Sequence, residues 1–88
     1  METMTLKVSA KTNPNKLAGS AVKNMQEGKH VDIVGVGAGA VNQAVKALAI
    51  ARGFVSSTGK DLYFSVGFET IKIENLEKTA IRFILIEK

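Results

Sequence analysis

Gly35-Val36-Gly37-Ala38-Gly39-Ala40 decides the fold, because its alternating glycines join two segments of different hydrophobic period. Upstream, His30 to Val36 is rich in β-branched residues and becomes apolar on both faces toward its end. That pattern belongs to a strand flanked by others and covered on one side. Downstream, Ala40 to Arg52 sets Val41, Ala44, Val45, Leu48 and Ala51 in an apolar stripe at helical spacing. Residues without a Cβ suit such a joint, since they allow a tight turn and close packing of helix on sheet. The amides that open the helix can also hold an anionic oxygen. The string further matches G-x-G-x-x-G/A, the dinucleotide-binding pattern, with Asp61 at about the expected distance onward. That pattern wants its acid at the close of the second strand, however, whereas Asp61 opens the next one. A doubly wound domain also needs considerably more chain than 88 residues. A nucleotide-binding enzyme is therefore the least supported reading of the joint.

Toward the amino end, Thr5 to Ala10 alternates Leu6, Val8 and Ala10 with Thr5, Lys7 and Ser9, the period of a half-buried strand. Asn13 then offers a helix cap and Pro14 fits the first helical position. Leu17, Ala21, Val22 and Met25 follow at helical spacing up to a stop at Gly28. Toward the carboxyl end, Gly53 is read as a left-handed residue ending the second helix, with Phe54 packing back and Ser56 to Gly59 forming a turn. Leu62, Phe64, Val66 and Phe68 alternate, but Ile71 and Ile73 fall on the opposite parity, which predicts a bulge or bend near Gly67 to Thr70. Asn75 and Leu76 mark a hairpin tip. Thr79 to Ile86 is apolar on both faces apart from Arg82, as an interior strand or an oligomer contact would be.

The order is β-α-β-α-β-β within one domain, residues 1–88. Right-handed crossovers put both helices on one face of the sheet, giving an α+β two-layer sandwich. The other face would show Tyr63, Ile71, Ile73 and Ile84, more apolar surface than a lone monomer usually exposes, so self-association is expected.

Composition narrows the function. There is no cysteine, which excludes disulfides and thiolate metal sites. No segment approaches the ~20 apolar residues of a membrane span, so no membrane partner and a cytoplasmic location are expected. The net charge of +4 is unevenly spread. Between Thr3 and Gln26 stand four lysines and no acid, whereas Asp61 to Lys88 holds five acids against four bases. A polyanion would meet no carboxylate near the first segment, although a solvated lysine-rich face accounts for the charge equally well. His30 has no carboxylate or serine partner in sequence and is read as a surface residue rather than a catalytic one. Arg52-Gly53-Phe54-Val55 echoes part of an RNA-recognition signature, but it ends a helix where that motif lies on a strand. No metal-ligand spacing occurs, and neither metal nor cofactor is expected. Asn42, Gln43 and Lys46 lie on the exposed side of the second helix, where phosphate or base contacts are made.

With the joint and its helix in hand, Gly37-Ala38-Gly39-Ala40-Val41-Asn42-Gln43-Ala44-Val45-Lys46 and Ala49-Ile50-Ala51-Arg52-Gly53-Phe54 resemble the stage V sporulation protein S family. Leu6-Lys7-Val8-Ser9-Ala10-Lys11, Pro14, Ala18, Gly19 and Thr79-Ala80-Ile81 extend the resemblance over nearly the whole chain. It implies an Alba-like fold with a mixed sheet ordered 1-2-4-3 and the last strand antiparallel to its neighbours. It also implies a non-enzymatic, regulatory binder of DNA or RNA, nucleoid-associated, acting as a homodimer that can pair further into a tetramer. Carried over by position, the first loop would contribute Lys11, Asn13, Asn15 and Lys16, and the second Gly37, Ala38 and Gly39. The hairpin arm would add Lys72 and Lys78, with Glu69, Glu74 and Glu77 close by. Alba itself has a basic residue in the second loop, where this chain has only small ones. The competing expectation is a protein-interaction module without nucleic-acid binding, which the acidic hairpin favours.

Overall fold

Asn13 caps the first helix as its side chain predicts: Oδ1 accepts from the amides of Asn15 and Lys16 at 2.9 and 3.2 Å, and Pro14 opens the helix. The computed structural model describes residues 1–88 as β1 (Thr3–Val8), α1 (Pro14–Gln26), β2 (His30–Gly35), α2 (Ala38–Ser56), β3 (Leu62–Ile73) and β4 (Leu76–Glu87). The sheet order is β1-β2-β4-β3. β1 and β2 are parallel, and β4 is antiparallel to both β2 and β3. The fold class, strand order and placement of the interior strand are those expected.

The core lies between the sheet and the two helices. Val31 and Ile33 of β2 are 1% exposed, each contributing roughly 1.5–3 kcal/mol by burial. Phe83 and Leu85 of β4, next to β2, extend the same layer, with Leu62 at the base of β3. The helices meet through small residues, Ala18 and Ala21 of α1 and Ala40, Ala44, Ala47 and Ala51 of α2, all fully buried. Alanine in these positions lets both helices sit close to each other and to the sheet.

Four details depart from the sequence reading. β1 begins at Thr3 and ends at Val8, because Ser9 and Thr12 close a turn in which the Ser9 amide donates to Thr12 Oγ1 at 2.8 Å. Ala10 belongs to that turn. Gly53 lies inside α2 rather than ending it. Burial of Val55 keeps the last turn on the core, and the hydroxyls of Ser56, Ser57 and Thr58 donate to the carbonyls of Gly53, Phe54 and Val55. The left-handed residue is Gly59, with φ +83. No bulge interrupts β3, whose register with β4 runs unbroken from Leu62–Glu87 to Ile73–Leu76. The parity change at Ile71 has another cause: the hairpin outruns β2, which pairs only with Ile81 to Ile84 of β4, and helix cover ends with it. Lastly, β4 begins at Leu76, three residues before the expected start, because Glu74 and Asn75 alone form the turn. Both have positive φ, 53° and 66°, as a mirror-image hairpin turn requires.

Candidate nucleic-acid interface

The glycine joint is built by contact. A Cβ on Gly35 would stand 2.6 Å from Val8 Cγ1, and one on Gly39 would stand 2.8 Å from Ala10 Cβ. Neither site admits a side chain, because β1 and its turn press directly on the start of α2. Gly37 has φ +91, a conformation that side chains rarely adopt. These glycines therefore shape the joint, which accounts for them without a dinucleotide. Asp61, the other half of that pattern, is bound elsewhere: Arg52 Nε and Nη2 donate to its two oxygens at 2.7 and 3.2 Å, and the Leu62 amide donates to Oδ1. The Arg52 contact, helped by that amide, pulls the Asp61 carboxyl down to about 2.

The same packing brings the first two loops together. Gln43 Nε2 donates to the Thr12 carbonyl at 2.9 Å, a bond across 31 positions that ties α2 to the turn before α1. Lys11, Asn15 and Lys16 are exposed beside it, and so are Ala38, Gly39 and Asn42 in the first turn of α2. That turn contains no acid and no side chain caps it, leaving its opening amides free to face an anion. Asn13 Oδ1 and Gln43 Nε2 hold the scaffold, and Asn42 Nδ2 donates to Gln43 Oε1 at 3.4 Å, whereas the side chains of Lys11, Asn15 and Lys16 are exposed to solvent. Lys46 lies farther along, about 12 Å down α2 from its start.

Strand direction places the hairpin at the same end. β1 and β2 are parallel, and β3 runs the same way because β4 opposes both β2 and β3. The turn after β1, the joint after β2 and the hairpin after β3 thus project together, with Lys72 and Lys78 on the arm. None of Lys7, Lys11, Lys16, Lys46, Lys72 or Lys78 has a carboxylate partner, since the ion pairs engage Lys29, Lys60, Arg52 and Arg82 instead. Six free ammoniums on or beside three converging elements can neutralise a phosphate backbone. Lys7 was not among the residues the sequence singled out, although its place on the polar side of β1 was legible from the alternation.

The acidic character of the hairpin is smaller than its composition suggests. Glu69 receives two hydrogen bonds of 2.9 Å from Arg82 Nη2, and Arg82 Nη1 donates to Asp32 at 2.6 Å. This triad clips β2, β4 and β3 together on the face away from the helices. Glu69 raises the Arg82 pKa above its ordinary value; burial opposes the rise and Asp32 assists it. Only Glu74 and Glu77 remain free near the tip, beside Lys72 and Lys78. His30 is exposed at the start of β2, and no group of three or more His, Cys, Asp or Glu stands close enough to hold a metal ion. No helix is long and apolar enough to cross a membrane.

Residues 4–88 match the family model described as Stage V sporulation protein S (SpoVS).

Proposed function

The chain belongs to the Stage V sporulation protein S family and is on that footing a sporulation-related regulatory protein; from that premise we propose that it acts by binding nucleic acid as a homodimer, without catalysis. One observation carries the reading: the Gln43–Thr12 bond and the close approach of Gly39 to Ala10 join the first loop, whose lysines lack carboxylate partners, to the uncapped opening turn of α2. Lys11, Lys16 and Lys46 neutralise phosphates, and the opening amides of α2 with Asn42 set the register. Few base-specific contacts follow, because the joint presents Gly37, Ala38 and Gly39 rather than long hydrogen-bonding side chains. The reading carries with it a cytoplasmic, nucleoid-associated location.

Self-association is supported by an apolar strip absent from the sequence expectation. Phe64, Val66 and Phe68, on the helix side of β3, are 44%, 59% and 84% exposed, and Val45 of α2 adjoins them. β3 is an edge strand with unpaired backbone groups along its outer side, a surface that monomers normally blunt with charge or proline. Tyr63 and Ile84 are exposed on the opposite face, where the sequence reading had placed the association surface. A second copy covering the β3 strip leaves the joint open.

Electrophoretic shift of duplex DNA, single strands and RNA across salt, with wild type and Lys11→Glu, tests the reading. Retarded complexes that weaken with salt and with the substitution are expected. An unchanged Lys11→Glu would transfer the function to protein partners, which pull-down with and without nuclease then identifies.

A further inference from the structure

The hairpin arm leaves the sheet where β2 ends. β2 pairs with β4 only over Ile81 to Ile84, so the rungs from Glu69–Ala80 to Ile73–Leu76 have no third strand beside them. From Lys72 to Thr79 every residue is exposed, and Phe68 at the root of the arm is 84% exposed on the helix side. On the other side an open cleft of about 500 Å³ separates Ile71 and Ile73 from Lys7 and Val34. A two-stranded ribbon alone is marginally stable in water, and the turn of this one sets Glu74 and Asn75 rather than glycine at positive φ. Packing therefore does not fix the angle at which the arm leaves the sheet.

The Arg82 guanidinium stands at that root. Nη1 donates to Asp32 Oδ2 at 2.6 Å, and Nη2 donates to both oxygens of Glu69 at 2.9 Å. Asp32 belongs to β2 and Glu69 to β3, strands that β4 keeps apart. A planar guanidinium holds two partners at a set spacing and direction, which a point charge on a flexible stem does not. No other side-chain hydrogen bond or ion pair reaches residues 69–80 from the rest of the chain. We propose that Arg82 is a positioning residue for the arm: its bridge from Asp32 to Glu69 latches the hairpin to the sheet at one angle. The angle matters because Lys72 lies on the helix-side face of the arm with Phe68, whereas Lys78 lies on the opposite face with Ile71. A swinging arm presents these two ammoniums in no fixed register with Lys11 and Lys16, and a latched arm presents them in one. Service to nucleic-acid contact rests on the function proposed above, whereas the latch stands without it.

NMR on the free protein tests the latch, so its failure leaves the nucleic-acid reading intact, and a failure to bind nucleic acid leaves the latch intact. Backbone amide relaxation and residual dipolar couplings are measured on residues 70–79 and on the core strands. In wild type the arm should be as rigid as Val31, Ile33 and Phe83, with order parameters of about 0.85. Glu69→Ala should lower those of the arm below about 0.6 or, where the swing is slower, scale down its dipolar couplings while the core keeps both. Asp32→Ala, two strands away from Glu69, should loosen the arm as well, and so should Arg82→Lys, which keeps the charge without the fork. Glu77→Ala, which removes an arm carboxylate outside the bridge, should match wild type. Unchanged core values show that each variant is folded. An arm already mobile in wild type, an arm that stays rigid in Glu69→Ala and Asp32→Ala, or an equal loosening by Glu77→Ala overturns the latch.

Discussion

Replacing Lys11, Lys16 and Lys46 by glutamine, one at a time, probes the interface through its salt dependence rather than its bare affinity. Each phosphate neutralised on B-DNA contributes about −0.9 to the slope of log K against log salt. Three unpaired lysines per subunit then give a slope of about −2.7, or about −5.4 for a dimer that engages both subunits. Between 50 and 200 mM salt this amounts to a loss of about forty-fold in affinity per subunit. Each glutamine should reduce the per-subunit slope by about 0.9, because none of these ammoniums has an internal carboxylate to fall back on. Lys23 and Lys60 serve as controls: one lies in the last turn of α1 and the other just before β3, so both sit at the opposite end of the sheet. Fluorescence anisotropy with a labelled duplex at four or more salt concentrations yields the slopes. If Lys23→Gln lowers the slope as much as Lys11→Gln does, binding is diffuse and the argument from converging loops fails.

Gly35→Ala should destabilise the fold by about 1–3 kcal/mol in urea unfolding, since its methyl would stand 2.6 Å from Val8 Cγ1. Combining it with Val8→Ala should cost less than the sum of the two single changes, and strict additivity would disprove the contact. Arg82→Met leaves Asp32 and Glu69 without their shared partner; with the Arg82 side chain 26% exposed, a loss of about 1–3 kcal/mol is expected, below the 3–5 of a fully buried pair. Removing both carboxylates as well should restore part of that loss. Asp61 titrates lower in the folded than in the unfolded chain, so its pairing with Arg52 stabilises the fold above about pH 4 and is lost as pH falls toward 2. Thermal melts of wild type and Asp61→Asn should therefore converge across that window; a constant gap would show that the carboxylate charge plays no part.

What was legible in the chain is what short-range physics determines. The alternation of Leu6 and Val8, the cap at Asn13, the proline at helix start and the glycine joint each declare a local conformation, and together with crossover handedness they prescribe the layers. The errors arose where one residue's role depends on a distant one. Gly53 and Gly59 both suit a helix end, and only burial of Val55 against the core decides between them. The parity change at Ile71 reads locally as a bulge, but its cause is distant: β2 pairs only with Ile81 to Ile84, and helix cover stops short of the hairpin. Arg82 meets Asp32 across 50 positions and Gln43 meets Thr12 across 31, so neither tie leaves a local pattern. The lysines are countable in the chain, yet their freedom from carboxylates is set by tertiary contacts, such as the one by which Arg82 holds Glu69.

The apolar strip on β3 and the cationic end impose opposite demands on the same particle. A dimer formed through Phe64, Val66 and Phe68 doubles the net charge from +4 to +8, and it brings the two Lys46 side chains toward the seam because Val45 adjoins the strip. Apolar burial favours the dimer while like-charge repulsion opposes it, and salt screens only the repulsion. Raising salt from 50 to 200 mM should therefore tighten the dimer while it loosens nucleic acid, and by linkage a bound polyanion should strengthen self-association in its turn. Phe68→Glu, which sets a charge on the most exposed residue of the strip, should yield monomers by sedimentation and reduce the nucleic-acid salt slope by half, from about −5.4 to about −2.7. If Phe68→Glu stays dimeric, the β3 strip is not the contact; if it becomes monomeric and keeps the full slope, the two subunits do not engage one duplex together.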